Sequence, residues 1–481
     1  MEDFDFQSLH LSEEILKALE KLGYEKPSEV QEKVIPFVFK DKDIIVKSQT
    51  GSGKTAAFAI PICEKIEIEK KDPQALVLTP TRELAVQIKE DISNIGRFKK
   101  VRCAAVFGKQ PMTTQVRELK QRVHVIVGTP GRTLDHIERG NINLEGIKYF
   151  IIDEADKMLD MGFIQQVESI IKTLPHNRVT MLFSATMPEE IEELCNKYMI
   201  NQMKIEIISK NPATEKIHQM YYKIEENKKF SLLNKIIYTQ APDSCIIFCN
   251  TKEQVGNVAK RMKDKGYSCN SLHGGMEQKD RLDTMERFKR GEFQFLIATD
   301  VAARGIDIEG ITHVINYDIP MEKESYIHRI GRTGRAGNEG IAITFVSPYE
   351  SRLLSEIQEY AGYNIPEKEA PSEEEVEIGK KAFEKNINVK PKLKSKKNFQ
   401  LNKEITKLYI GAGKKKKMRP GDILGAIINI EGITGEDIGI IDIQENFSYV
   451  DILNGRGKFV LQALQNATIK GKKVRIQKAE K

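Results

Sequence analysis

Short apolar runs alternate with amphipathic stretches along most of the chain, up to about residue 363. DIIVK (43–47), QALVLTP (74–80), VHVIVGTP (123–130), YFIIDEAD (149–156) and VTMLFSAT (179–186) are examples of the runs. Nearly every one is followed by a helix-like segment such as RELAVQIKEDI or EEIEELCNKYM. Near-continuous apolar runs joined by amphipathic helices predict a parallel sheet covered on both faces. The rhythm restarts after about residue 206 with SCIIFCNT (244–251), FQFLIATD (293–300), THVINYD (312–318) and GIAITFVS (340–347). The pattern therefore predicts an α/β protein with two tandem doubly wound domains, 1–206 and 207–363. Several runs end in small or polar residues, and in such sheets ligands bind at the carboxyl ends of the strands.

Beyond 363 the pattern changes. Residues 364–402 run from the acidic PEKEAPSEEEVE to the basic KPKLKSKKNFQ with few apolar anchors, and read as a charged linker, partly helical at most. Residues 403–481 give KLYIGAG, PGDILGAIINIEG, IGIIDIQ, FSYVDIL, GKFVLQALQNA and KKVRIQK, a β-α-β-β-α-β order that predicts an RRM-like α+β domain. Tyr409 stands at the aromatic position of its first strand, and Phe447 and Tyr449 at those of its third. The basic-Gly opening expected before them is replaced by Glu445-Asn446, and the final aromatic by Ile452. Phe447, Tyr449 and Asp451 could equally be one plain sheet face, so base stacking there stays open.

Charge sharpens this division. The whole chain carries +6, and residues 403–481 alone hold 15 basic against 9 acidic side chains, so the preceding body is neutral. A neutral body with a basic end suggests that the end meets a polyanion. The six cysteines are scattered, with no CxxC pair, which argues against a zinc site or a disulfide framework and for a reducing cytoplasm. No stretch approaches the length of a membrane span, and the first residues do not read as a signal peptide.

Two segments carry phosphate chemistry. VKSQTGSGKTAAF follows an expected strand and opens a helix, the setting in which backbone N–H groups cradle phosphates. Ser48 stands where a strict P-loop has its first glycine, and the loop continues through Gln49, Thr50, Gly51, Ser52 and Gly53. Lys54 is expected to reach the β- and γ-phosphates of ATP and Thr55 to hold Mg²⁺. YFIIDEAD supplies the second part: Asp153 for the Mg²⁺ hydration shell, and Glu154 to orient and deprotonate the attacking water.

The tetrad at 153–156 resembles the signature of the DEAD-box RNA helicases, and the likeness runs motif by motif from about residue 4 to 363. Phe6 with GYEKPSEVQ (23–31), PTRELA (80–85), TPGR (129–132), SAT (184–186), HGGMEQKDR, ATDVAARGID and HRIGRTGRAG all follow in the family's order. The resemblance implies two RecA-like domains, adenine recognition by Phe6 and Gln31, and a ribose contact from Asp307. It implies arginine fingers at Arg332 and Arg335, which would require the two domains to close on ATP. For RNA it implies contacts from Thr81, Arg82, Gly131, Arg132, Thr299 and Arg304, residue types suited to phosphates and sugars rather than base edges. Ser184 and Thr186 would couple the ATP state to strand separation. Where the family has paired glycines, this chain has Gly108-Lys109.

Lys414, Lys415, Lys416 and Lys417, with Arg419, fall between the first strand and first helix of the basic domain. They form a phosphate-attracting patch whose strength should fall steeply with salt. A DEAD-box core followed by this small domain resembles the bacterial DbpA/YxiN subgroup. That implies an ATP-dependent RNA helicase whose tail recognises a hairpin of 23S rRNA and which acts on pre-50S particles in large ribosomal subunit assembly. A general RNA helicase, an ATP-gated RNA clamp with an adhesive tail, and a DNA translocase are the alternatives.

Overall fold

The computed structural model describes residues 5–48, 52–207, 216–300, 310–334, 338–386, 404–465, 468–471 and 473–479. It divides into two compact units, Met1–Ile207 with Lys396–Lys481, and Ile208–Ser395.

In the first unit the apolar runs become β1 (Ile44–Lys47), β2 (Ala75–Leu78), β3 (Cys103–Val106), β4 (Val125–Gly128), β5 (Tyr149–Asp153), β6 (Val179–Ser184) and β7 (Met203–Glu206). They pair in the order β3-β4-β2-β5-β6-β1-β7, parallel throughout. The strands are only four to six residues long, and β2 to β6 are buried along their whole length because helices cover both faces. One core, on the Phe58 and Phe183 side, also takes in Phe6, Leu9 and Leu11 from the N-terminal segment. The other is built on Phe150, Leu182 and Met158. The sheet order makes β5, β6 and β1 neighbours, so the carboxyl ends that carry the DEAD tetrad, the SAT segment and the P-loop meet at one edge of the domain.

The second unit is a six-stranded parallel sheet: β8 (Ile217–Lys223), β9 (Cys245–Phe248), β10 (Cys269–Leu272), β11 (Phe295–Ala298), β12 (His313–Asn316) and β13 (Gly340–Val346). Its order is β10-β11-β9-β12-β13-β8. Here the expected linker needs correction. Tyr221 donates its N–H to Pro366 O, and Lys368 N–H donates to Tyr221 O, so the chain past 363 lies along the edge of β8. A helix, Glu373–Asn386, then packs against the helix Lys229–Gln240. Phe383 enters the core, with Tyr238 and Tyr267 rings 5.7 and 5.8 Å away. A Cβ at Gly379 would meet Tyr238 O at 2.4 Å, which is why a small residue is needed where the two helices touch. The polar composition of this stretch hid one apolar anchor and one close approach. Residues 387–402 of the expected linker lie outside the described residues.

The C-terminal domain has the expected β-α-β-β-α-β order: β14 (Thr406–Ile410), a helix Pro420–Ile428, β15 (Ile438–Ile443), β16 (Ser448–Ile452), a helix Gly457–Gln465 and β17 (Ile476–Lys478). The strands form an antiparallel sheet ordered β15-β16-β14-β17 over a core of isoleucine, valine and leucine. Of the six cysteines, five are buried and Cys269 is half-buried, all as free thiols. Burial pushes the thiols of Cys195 and Cys269 up to about 11 and that of Cys63 up to about 12.

Candidate ATP and RNA sites

The P-loop leaves β1 at Ser48, whose N–H donates to Ser184 O at 2.9 Å, and re-enters a helix at Lys54. Gln49, Thr50 and Gly51 lie outside the described residues. Gly53 has φ +91°, and a Cβ there would sit 2.8 Å from both Gln31 Nε2 and Ser28 Oγ, so this turn admits only glycine. Ser28 Oγ donates to Ser52 O at 3.0 Å, and Gln31 Nε2 to Gly53 O at 3.2 Å. Gln31 Oε1 accepts from Ser28 N at 3.0 Å. The amide expected to meet adenine thus holds the back of the P-loop, while Phe6 lies in the core, edge-on to Tyr24.

Lys54 is 7% exposed and donates to Ser48 O at 3.2 Å. Thr55 follows in the first turn of the helix Lys54–Lys65. Asp153 ends β5 buried, and burial pushes its carboxyl up to about 6 against the pull of Lys54. Glu154 takes φ +56°, a left-handed conformation at the elbow between β5 and the helix Ala155–Asp160, of the kind that clusters at functional sites. Glu154 Oε2 and Ser48 Oγ are buried with no hydrogen-bond partner among the described residues. Dry carboxylates, a hydroxyl lacking partners and one buried ammonium form a site that fits nucleotide phosphates and a hydrated divalent cation.

Asp156 does work the sequence reading missed. Its Oδ2 accepts from Ala185 N (3.2 Å), Thr186 N (3.1 Å) and Thr186 Oγ1 (3.3 Å), while its N–H donates to Ser184 Oγ at 3.2 Å. The last residue of the DEAD tetrad therefore clasps the whole SAT segment, and Ser184 O in turn holds the P-loop strand. Tetrad, SAT and P-loop make one hydrogen-bonded chain. The third carboxylate of the tetrad was the available signal.

Thr81 caps the helix Arg82–Ile95, accepting from Leu84 N at 3.2 Å, with Arg82 as its first residue. Gly131 and Arg132 lie in the first turn of the helix Pro130–Glu138. Thr299 follows β11, its N–H donating to Leu272 O. Arg304, Asp307 and Arg335 lie outside the described residues. Arg332 is 5% exposed just past the helix Lys323–Ile330, its Nε donating to His328 O at 3.2 Å. In the same motif, Arg329 was not foreseen. It is fully buried, bidentate to Asp300 (Nε to Oδ1 and Nη2 to Oδ2, both 2.5 Å), and donates to Asp318 O and Asn250 Oδ1. This fork joins the segments after β9, β11 and β12, a structural pin of the bidentate kind.

In the C-terminal domain the lysine run forms a short 3₁₀ turn, Lys414–Lys416, with Lys417 at φ +55°. Lys414 N and Lys415 N donate to Gln444 O and Glu445 O, which pins the run to the turn between β15 and β16. Lys470 Nζ donates to Lys417 O at 3.0 Å and pairs with Asp422 at 3.4 Å, so a distant lysine braces the run. All four lysine side chains, and Arg419, are exposed. Tyr409, Phe447 and Tyr449 meet in one cluster, with ring centres 5.3 to 5.9 Å apart. Tyr449 shares its sheet face with Asp442 and Asp451, and burial raises the Asp451 carboxyl against the pull of Lys407 and Arg97. The outer edge of β15 is covered by the first domain: Arg102 donates to Ile441 O, and Gln121 Nε2 to Ile443 O at 3.4 Å.

Comparison with known proteins agrees with this geometry. Residues 28–194 match the DEAD/DEAH box helicase family, 228–337 the helicase conserved C-terminal domain, and 407–478 the DbpA RNA binding domain. The ATP-dependent RNA helicase DbpA of Bacillus subtilis (strain 168) is 55% identical over 476 residues, 99% of each chain. The DEAD-box ATP-dependent RNA helicase CshA of Geobacillus kaustophilus is 45% identical over 386 residues, 80% of this chain and 83% of that protein. Among solved structures, S. cerevisiae Dbp5 bound to RNA and ADP BeF3 matches with a TM-score of 0.70 and 34% identity, covering 78% of this chain and 99% of that one. The DEAD-box helicase Mss116 bound to ssRNA and UDP-BeF matches with a TM-score of 0.70 and 27% identity, over 82% and 91% of the two chains.

Proposed function

The chain belongs to the DEAD-box ATP-dependent RNA helicases, and from that premise we propose that its C-terminal domain directs local duplex opening to a hairpin of 23S rRNA during large-subunit assembly. The observation that carries the reading is a DbpA RNA binding domain at 407–478 behind a helicase core, with its basic side chains exposed on a braced turn. Pre-50S particles in the cytoplasm are the proposed place of action. Among the described residues no helix is long and apolar enough to cross a membrane.

In this reading the P-loop backbone and Lys54 bind the ATP phosphates, and Phe6 and Gln31 meet the adenine. Asp153 and Thr55 would hold Mg²⁺, which supplies charge neutralisation at the phosphates when bound. Glu154, whose Oε2 has no hydrogen-bond partner among the described residues, takes the proton of the attacking water. Arg332 and Arg335 bring guanidinium forks to the transferring phosphate, and Asp307 meets the ribose. Thr81, Arg82, Gly131, Arg132, Thr299 and Arg304 bind the sugar-phosphate backbone without reading sequence. Lys414 to Lys417 with Arg419 attract the target RNA, and Tyr409, Phe447 and Tyr449 offer it a stacking surface. The carboxylates of Asp442 and Asp451 near that surface disfavour phosphate there and favour the lysine turn as the anionic contact.

The test is steady-state ATPase of the full chain and of residues 1–386, which retain the helix Glu373–Asn386 and its Phe383 anchor. Each is titrated with a 23S hairpin fragment and with an unrelated RNA at fixed salt. Preferential stimulation by the hairpin, lost on truncation, is expected. Equal stimulation by both RNAs replaces the reading with a general helicase carrying an adhesive tail.

A further inference from the structure

Gln115 lies in the helix Met112–Leu119, outside every motif noted above, and is completely buried. Its Nε2 donates to Phe107 O at 2.8 Å and to Gln110 Oε1 at 2.8 Å. Its Oε1 accepts from Arg132 Nη1 at 3.2 Å and from His136 Nε2 at 2.8 Å. The orientation of the amide is fixed by its partners, because Phe107 O can only accept and Arg132 can only donate. His136 must then carry its proton on Nε2, leaving Nδ1 buried and without a partner among the described residues. Arg132 Nη1 completes the cluster by donating to Gln110 O at 2.9 Å.

The cluster joins two separate segments. One is the turn Gly108-Lys109-Gln110, in which Lys109 is exposed at φ +60° and a Cβ at Gly108 would lie 3.5 Å from the Arg82 guanidinium. The other is the first turn of the helix Pro130–Glu138, with Gly131 and Arg132. Three cationic side chains, Arg82, Lys109 and Arg132, therefore come from segments linked directly or through one buried amide. We propose that Gln115 is a positioning residue for RNA: it locks the 108–110 turn to Arg132, so that these cations meet the phosphates of one strand at fixed spacing. Lys109, standing where the family has glycine, becomes part of that surface. A preorganised set of donors loses less on binding than a loose one. This inference rests on the reading of Arg132 as an RNA-facing residue.

The test is RNA-stimulated ATPase of the full chain with a short oligouridine that contains no hairpin. Gln115→Met fills the same space without polar atoms. It should raise the half-saturating oligouridine concentration about tenfold, the scale of lost hydrogen bonds to a charged group, while the KM for ATP stays at the parent value. Arg132→Met should raise it as well, and the double variant should be no worse than the worse single, because both break one unit. Should Gln115→Met fail to fold, Gln115→Glu keeps the acceptor for Arg132 and His136 but loses both donated bonds, and the same rise is expected. A folded Gln115 variant with parent-like half-saturation, beside an affected Arg132→Met, overturns the positioning role alone. So do strictly additive effects. A silent Arg132→Met overturns the reading of Arg132 and this inference with it.

Discussion

The two lysine sites proposed to meet polyanions are built on opposite principles. At the P-loop a single ammonium, Lys54, is almost wholly buried and tied to Ser48 O. In the C-terminal domain four ammonium groups stand in water on a turn braced by Lys470. A unit charge pair at 4 Å is worth about 1 kcal/mol in water and about 4 kcal/mol at the effective dielectric near a protein. One dry lysine can therefore act where a wet one must be multiplied. The dry site also fixes geometry, which chemistry needs. The wet site gathers charge, which recruitment needs.

The comparison can be tested from the largest effect downward. Glu154→Gln, beside the dry lysine, should lower ATP turnover about 10²–10⁴-fold and leave RNA affinity near the parent value. Steady-state ATPase and filter binding on the same preparation would measure both, and full turnover would remove Glu154 as the base. Lys54→Arg keeps the charge but not the point-like shape that the buried loop accepts, and turnover should fall about 100-fold. Replacing Lys414 to Lys417 by alanine should weaken hairpin binding about 10- to 100-fold near 0.1 M salt and flatten the log K against log salt slope by about 3. The KM for ATP should not move, and an unchanged slope would show that the run is only a solvated turn.

The smallest effect is that of pH. Burial lifts Asp153 to about 6, above the 3.8 of a free carboxyl. The ligand-free fold therefore loses stability as the pH rises through that interval and the group ionises. Binding a cation needs the ionised form. The ratio kcat/KM for ATP should accordingly fall about tenfold per pH unit below about 6, and kcat should break at lower pH because bound ligand favours the ionised form. A flat kcat/KM profile down to pH 5 would contradict this assignment.

What could be read from the sequence follows from how local the encoding is. The P-loop and the DEAD strand were legible because each is a contiguous run whose role is set by the strand or helix it joins. The C-terminal β-α-β-β-α-β order was legible for the same reason. Asp156 and Arg329 were not, because partners such as Thr186 and Asn250 lie far along the chain and only the sheet order brings them together. Gln115 was not, because its partners Phe107, Gln110, Arg132 and His136 form no contiguous pattern. The packing of the helix Glu373–Asn386 onto the second domain was missed because one buried phenylalanine among charged neighbours does not register as a pattern. Lys470 was hidden by the sheer number of lysines, of which it is the one that bonds to Lys417 O.

The state of the cysteines has a practical consequence. A thiol held at about 11 is ionised to roughly one part in 10⁴ at neutral pH, and only the thiolate reacts with maleimides. With five of the six also shut away from solvent, the native chain is nearly silent to such reagents. A single cysteine introduced at an exposed position, such as Tyr349 on the second domain or Ile200 on the first, would take a fluorophore without prior removal of the natural thiols. A dye pair placed this way turns the separation of the two helicase domains into an optical signal that can be followed through each round of ATP turnover.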